Sequence, residues 1–301
     1  MNPTSEQIAL AAYYRWQRRG SAHGLDRDDW DAATRDLTFG LNYRWLVRHA
    51  LRPAPGATVG PILLGQAQAE AAGRSRRCRF CERAAPGAAF TTEPLAIPAW
   101  MGNETLIAWD ECDECRAGHQ AHLAAPFETF ATPFLIDQPA LPEPGCTVPV
   151  PALKALVRMG LAILPDNELH LFDDAMEWVS NPDTERDSAL LAGLGCHVYI
   201  TPVPVPAPFA SLARRVDDDA AMPSMLFFLG HGRVVFQTHL PFSPRDEAIE
   251  ELPDALRGPS LSMSLGQGDA HRSSQVAFLP VEITRLPITV RIATRAAGVG
   301  S

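Results

Sequence analysis

The sequence predicts an α+β protein: an N-terminal helical hairpin, a central zinc-bound cysteine module and a C-terminal α+β domain with antiparallel strands. Three observations carry this. Apolar residues recur at helical spacing through residues 1–52, two C-x-x-C pairs stand 30 residues apart near the centre, and β-rich runs take over after residue 195. The 301 residues suit about two domains, or one with an appendage, and 46 % hydrophobic residues suffice for a core.

Ser5 is placed to cap a first helix carrying Ile8, Ala11, Ala12, Tyr13, Tyr14 and Trp16. Gly20 ends it. Gly24 marks a turn, and Asp26 or Asp28 can cap a second helix with Trp30, Ala33 and Leu37. A third apolar segment holds Leu41, Trp45, Leu46 and His49, and the tryptophans are expected to fill the core of a helical unit at 1–52. Residues 53–75, with Pro53, Pro55, Gly56, Gly60 and Pro61, read as a linker with one short helix at 65–72. The cysteine module occupies 76–130.

Pro133, Pro139, Pro142, Pro144, Pro149 and Pro151 predict an extended connector over 131–151. A C-terminal domain then spans 152–295. Leu153, Leu156, Val157, Leu161 and Leu164 lie at helical spacing, Pro165 stops that helix, and Asp166 can cap the next, with Leu169, Phe172, Met176 and Trp178. HVYITPV at 197–203 reads as a strand. MLFFLGHGRVVFQTHL at 225–240 reads as a hairpin turning at Gly230-His231-Gly232, with His231 a turn residue. QVAFLPVEI at 275–283 and LPITVRIAT at 286–294 are further strand candidates, and 296–301 a frayed tail. The acidic run Asp217–Asp219 reads as a solvated loop.

A net charge of −9 excludes a generic nucleic-acid coat, which needs many cations to release counterions, but leaves room for a local basic patch. Lys154 is the only lysine. No apolar run approaches the roughly 18–20 residues that span a bilayer. The first twenty residues lack the basic, apolar and small-residue order of a signal peptide. A cytoplasmic protein with no membrane partner is therefore expected.

Cys78-Arg-Phe-Cys81 and Cys112-Asp-Glu-Cys115 have metal-ligand spacing. Each knuckle lets two thiolates reach one ion, and two knuckles complete a tetrahedral four-sulfur shell. The expectation is one structural zinc; separate redox pairs and an iron–sulfur cluster are the alternatives. Cys146 and Cys196 stand apart. Five arginines surround the first knuckle: Arg74, Arg76, Arg77, Arg79 and Arg83. They read equally as a phosphate-binding patch for DNA or RNA and as cations offsetting Asp110, Glu111, Asp113 and Glu114.

Between the knuckles lie Ile97-Pro98 and Trp100-Met101-Gly102-Asn103, followed by Glu111-Cys112-Asp113-Glu114-Cys115. Over about 50 residues this resembles the four-cysteine zinc branch of the HNH endonuclease superfamily. The resemblance implies a ββα-metal fold in which a histidine activates water beside a second ion, magnesium or manganese. Leu95 stands at the histidine position, three before Pro98, and Arg116 replaces the asparagine after the second knuckle. Asn103 is kept. His119 and His122 follow at i, i+3 and are candidates for a rearranged site.

The expected function is a catalytically degenerate, zinc-binding HNH-like protein acting in nucleic-acid or protein recognition. The alternatives are an active endonuclease using His119 and His122, and a structural zinc protein with a protein partner. At the N-terminus, Ala12-Tyr-Tyr-Arg-Trp-Gln-Arg-Arg-Gly20, His23-Gly24, Asp26, Asp29-Trp30 and Ala33 resemble the DUF2934 type, a short bacterial domain. That likeness implies a helical hairpin and no particular activity.

Overall fold

The computed structural model describes residues 2–18, 20–21, 23–53, 56, 60–136, 147–181, 194–200, 204–205, 207–217 and 222–246, and the strand path of 288–292. The strand candidate at 275–283, the tail at 296–301, Cys146, most of the proline-rich connector and all but Asp217 of the acidic run lie outside the described residues.

Helices α1 (Ser5–Arg18) and α2 (Asp26–Asn42) form the expected hairpin. Thr4, not Ser5, begins it. Its Oγ1 accepts from the Gln7 N–H at 3.3 Å while Gln7 Oε1 accepts from the Thr4 N–H at 2.9 Å, a reciprocal capping box. Helix α2 has no side-chain cap; Asp26, Asp28 and Asp29 sit in its first turn, where the helix dipole favours negative charge. The hairpin is pinned by the buried Arg15, 2.9 Å from Asp36. Trp30 is 39 % exposed and so is not core filler.

The helical expectation fails beyond Asn42. Residues Tyr43–Ala50 form strand β1, an edge of the main sheet. Tyr43 and Trp45 alternate with Arg44 and Leu46, and pairing with a distant strand settles a run too short for periodicity to decide. Then follow β2 (Ile62–Leu63), α3 (Gln66–Ala71), β3 (Leu106–Ile107) and α4 (Asp113–His119). The short helix expected in the linker is α3.

Helix α4 runs through a π-turn, Gln120–Ala124, into α5 (Ala125–Leu135). The wide turn precedes Pro126, which has no N–H to donate and crowds the carbonyl four residues back. Pro133 lies inside α5, so the connector begins later than its prolines suggest. It also ends sooner, since β4 (Thr147–Val148) and α6 (Val150–Ala162) follow. Pro165 starts α7 (Asp166–Leu169), which is separate from α8 (Asp173–Ser180).

Strands β5 (Gly195–Ile200), β6 (Phe209–Arg215), β7 (Met225–His231), β8 (Val234–His239) and β9 (Ile288–Ile292) complete a sheet ordered β1-β6-β7-β8-β5-β9-β4. All its pairs are antiparallel except β4 with β9. The β7–β8 turn is one residue later than expected. His231 pairs with Val234, and Gly232, at φ +57°, opens a two-residue loop.

Helix α6 is the centre of the molecule. From Val150 to Ala162 every residue but Pro151 is buried, as in a helix packed on all sides. Gly160 permits this closeness, because a Cβ there would sit 2.7 Å from Leu240 Cδ2 and 3.1 Å from Phe227 Cγ. One apolar cluster runs from Cys78, Phe80, Ile97 and Met101 through Leu156 of α6 to Phe227 and Phe236 of the sheet. The cysteine module and the sheet therefore share a core. No described helix is long and apolar enough to cross a membrane.

Candidate metal centre

Two turns of the chain present the sulfurs. In the first, the Cys78 N–H donates to Arg83 O at 2.8 Å across the knuckle, and the Glu82 N–H donates to Cys78 O at 2.8 Å. Glu82 takes the left-handed conformation that closes this turn, at φ +58°. In the second, Cys112 precedes the first turn of α4 and Cys115 lies within it. Asp113 anchors that turn, accepting from the N–H and Oγ1 of both Thr91 and Thr92 at 2.7–3.2 Å. These bonds to the charged form hold its carboxyl well below the usual carboxylate range.

The four Sγ atoms all lie within 4.8 Å of one another. Cys81 and Cys112 are 3.7 Å apart, close to the ~3.8 Å tetrahedral edge of Zn–S bonds of about 2.3 Å. The Cys112 N–H donates to Cys78 Sγ at 3.4 Å and Arg83 Nε to Cys81 Sγ at 3.4 Å, both bonds that stabilise thiolate. The Cys78 thiol is drawn down to about 4, first by its hydrogen bond with Cys115. Cys115 is pushed up by the same bond, and Cys112 by burial. Alone, the cluster favours one thiolate; a divalent cation would let the others ionise. The donor set fits zinc, and these residues would hold it as a closed, structural ion.

Acidic residues beside the second knuckle meet cations from elsewhere. Arg79 has a side chain only 3 % exposed. It donates to Asp110 at 2.8 Å, to Asp166 at 3.1 Å, and to the carbonyls of Leu161 (3.0 Å) and Leu164 at the end of α6. Arg158, from the middle of α6, pairs with Glu111, and its guanidinium lies 3.5 Å over the Phe80 ring. Burial pushes the Asp110 and Glu111 carboxyls up, and these two arginines pull them back. Arg83 pairs with Glu114. Arg76 lies between the rings of Phe90 (4.7 Å) and Trp109 (4.9 Å) and donates to the carbonyls of both residues.

Of the five knuckle arginines, then, Arg76, Arg79 and Arg83 face partners within the chain. Arg74 is exposed, with a loose 3.9 Å approach to Asp166, and Arg77 is exposed.

Asn103 is 2 % exposed, with no polar capacity left for a ligand. Its amide donates to Ile97 O (2.8 Å) and Leu106 O (2.9 Å), and its Oδ1 accepts from Thr105 N (3.2 Å) and Leu106 N (2.9 Å). It locks the loop before β3. Gly102 just before it is at φ +80°, and a Cβ there would lie 2.5 Å from Pro208. His119 is half-buried and pushed down to about 3 by burial, with Arg158 adding to the effect. His122 is exposed in the π-turn. Among the described residues, the four cysteines are the one group of three or more metal-ligating side chains gathered together.

Where the endonuclease resemblance implies a hairpin, the strand pairing is short. Leu95 and Ile107 form a single antiparallel bridge, while Leu106 and Ile107 pair in parallel with Ile62 and Leu63. The residues that sequence reasoning does not bring to the site are Arg158, Thr91, Thr92 and Asp166, the last read only as a helix cap. Arg158 has a signal: with Lys154 it is one of two charges in a helix whose other residues are apolar.

Compared with known families, residues 3–38 match the model of a protein of unknown function (DUF2934). No curated protein and no solved structure matches the chain.

Proposed function

We propose that this chain is a non-catalytic recognition protein, in which a zinc-stapled HNH-like module is fixed to a sheet domain and the assembled surface binds a protein partner. The supporting observation is how its polar groups are spent. The position expected for the water-activating histidine is Leu95, 38 % exposed. Asn103 uses all its hydrogen bonds on backbone. Three of the five knuckle arginines are committed within the chain, which favours a protein over a phosphate backbone as ligand.

The test is incubation of the zinc-loaded protein with DNA and RNA in magnesium or manganese. No cleavage is expected. Cleavage that Cys112→Ser abolishes would establish a nuclease and overturn the proposal. Nucleic-acid binding whose salt slope flattens on changing Arg74 and Arg77 to Gln would move the partner from protein to nucleic acid.

A further inference from the structure

We propose that the cysteine centre is a peroxide-responsive switch: Cys81 is oxidised first, closes a disulfide with Cys112 of the other knuckle, and the bound ion is released. This rests on the four-cysteine centre and is independent of what the surface of the protein binds.

The four sulfurs differ in what can reach them. Cys78 and Cys112 are buried, at 1 % and 0 % exposure, whereas Cys81 and Cys115 are half-buried. An oxidant from solvent therefore meets Cys81 or Cys115 first. Charge separates these two. Arg83, with a side chain 44 % exposed, donates from Nε to Cys81 Sγ at 3.4 Å and is held on its other side by Glu114. Among the described residues no arginine does the same for Cys115. A partly exposed sulfur beside a fixed cation is the setting in which cysteines react. Charge moves in the reaction from sulfur to a departing hydroxide, a smaller anion that gains more from the guanidinium.

Cys112 supplies the second sulfur. Its Sγ lies 3.7 Å from that of Cys81, so a disulfide of about 2.05 Å needs a closure of under about 2 Å. The Cys81 thiolate attacks one oxygen of hydrogen peroxide, the O–O bond breaks, hydroxide leaves, and Cys81 becomes a sulfenic acid. The Cys112 thiolate then attacks that sulfur; the S–S bond forms, the S–O bond breaks, and a second hydroxide leaves. The two sulfurs give up two electrons and the peroxide takes them. Cys78 and Cys115 remain, and two donors do not close a four-coordinate site, so the ion departs. The new bond joins the same two turns that the ion joined, and the knuckles stay tied. Bonds within each knuckle, Cys78 to Cys81 and Cys112 to Cys115, would leave them separate.

The experiment treats the full zinc-loaded chain with hydrogen peroxide. A zinc-binding dye follows release, and mass spectrometry of the unreduced, protease-digested chain maps the disulfide. Zinc should leave as a peptide pair joined through Cys81 and Cys112 appears, and a dithiol reductant with added zinc should restore the loaded mass. Arg83→Gln keeps all four sulfurs and should slow release about tenfold, the worth of one charge-assisted hydrogen bond. Retention of zinc overturns the proposal. So does a bond within a knuckle or to Cys146 or Cys196, a sulfinic acid in place of the disulfide, or release as fast in Arg83→Gln as in the native chain. Zinc content before treatment separates the switch from the centre itself. A chain without zinc refutes the staple and the switch with it, whereas any of the results above on a zinc-loaded chain refutes the switch alone.

Discussion

Arg79 joins four groups that lie far apart in the chain: a knuckle, the acidic residue before the second knuckle, the end of α6 and the start of α7. Arg79→Gln leaves the buried Asp110 without its cation and the half-buried Asp166 with only the loose approach of Arg74, and loss of a buried charge partner costs about 3–5 kcal/mol. Arg77→Gln, at an exposed position, should stay within about 0.5 kcal/mol. Urea unfolding of the two variants reads the difference, and equal small effects would deny Arg79 its joining role. His239 gives a pH signature. Burial, with His197 adding, pushes its imidazole from 6.5 down to about 4, and its Nδ1 has no partner among the described residues. The unfolded chain takes up a proton near pH 6.5 that the folded chain refuses until about pH 4. Its contribution to stability is therefore complete above pH 6.5 and lost as pH falls toward 4. His239→Gln should flatten the dependence of the unfolding free energy on pH in that window.

Helix α6 shows what an element can and cannot reveal in advance. Its apolar spacing was readable, and so was its stop at Pro165. That it would be buried on every side was not, because the partners come from the knuckle, α5, α8 and three strands. Gly160→Ala tests that packing. Overfilling a tight contact costs about 1–3 kcal/mol, although alanine would favour an isolated helix. A stabilised variant would contradict the close approach of α6 to the sheet. Strand β1 is not legible in the sequence because Leu41, Trp45, Leu46 and His49 read as a third apolar segment of a helical unit. Strand β6 went unseen because Ala210, Ser211 and Ala213 give no β-rich run; both strands owe their form to pairing with each other and, for β6, with β7. The cysteines were legible from spacing alone. The ion pairs around them were not, since Arg158 and Glu111 are 47 residues apart and nothing local links them.

Across the molecule, the cysteine module and the sheet share one apolar core through α6, and Arg158–Glu111 and Arg79–Asp166 tie the module to α6 and α7. An ion that closes the knuckles therefore contributes its binding free energy to the folding of the whole. Lys154, 1 % exposed beneath Trp178, reports this. An amine-reactive reagent should leave Lys154 unmodified in the loaded protein and label it once a chelator has removed the ion. Protection that survives chelation would show that α6 is packed without the metal. The most direct test of the account is the mass of the folded chain under non-denaturing electrospray, for the native sequence and for Cys78→Ser/Cys112→Ser. The account predicts one zinc on the native chain and none on the variant. A native chain that carries no zinc, or a variant that keeps it, would contradict the four-cysteine staple.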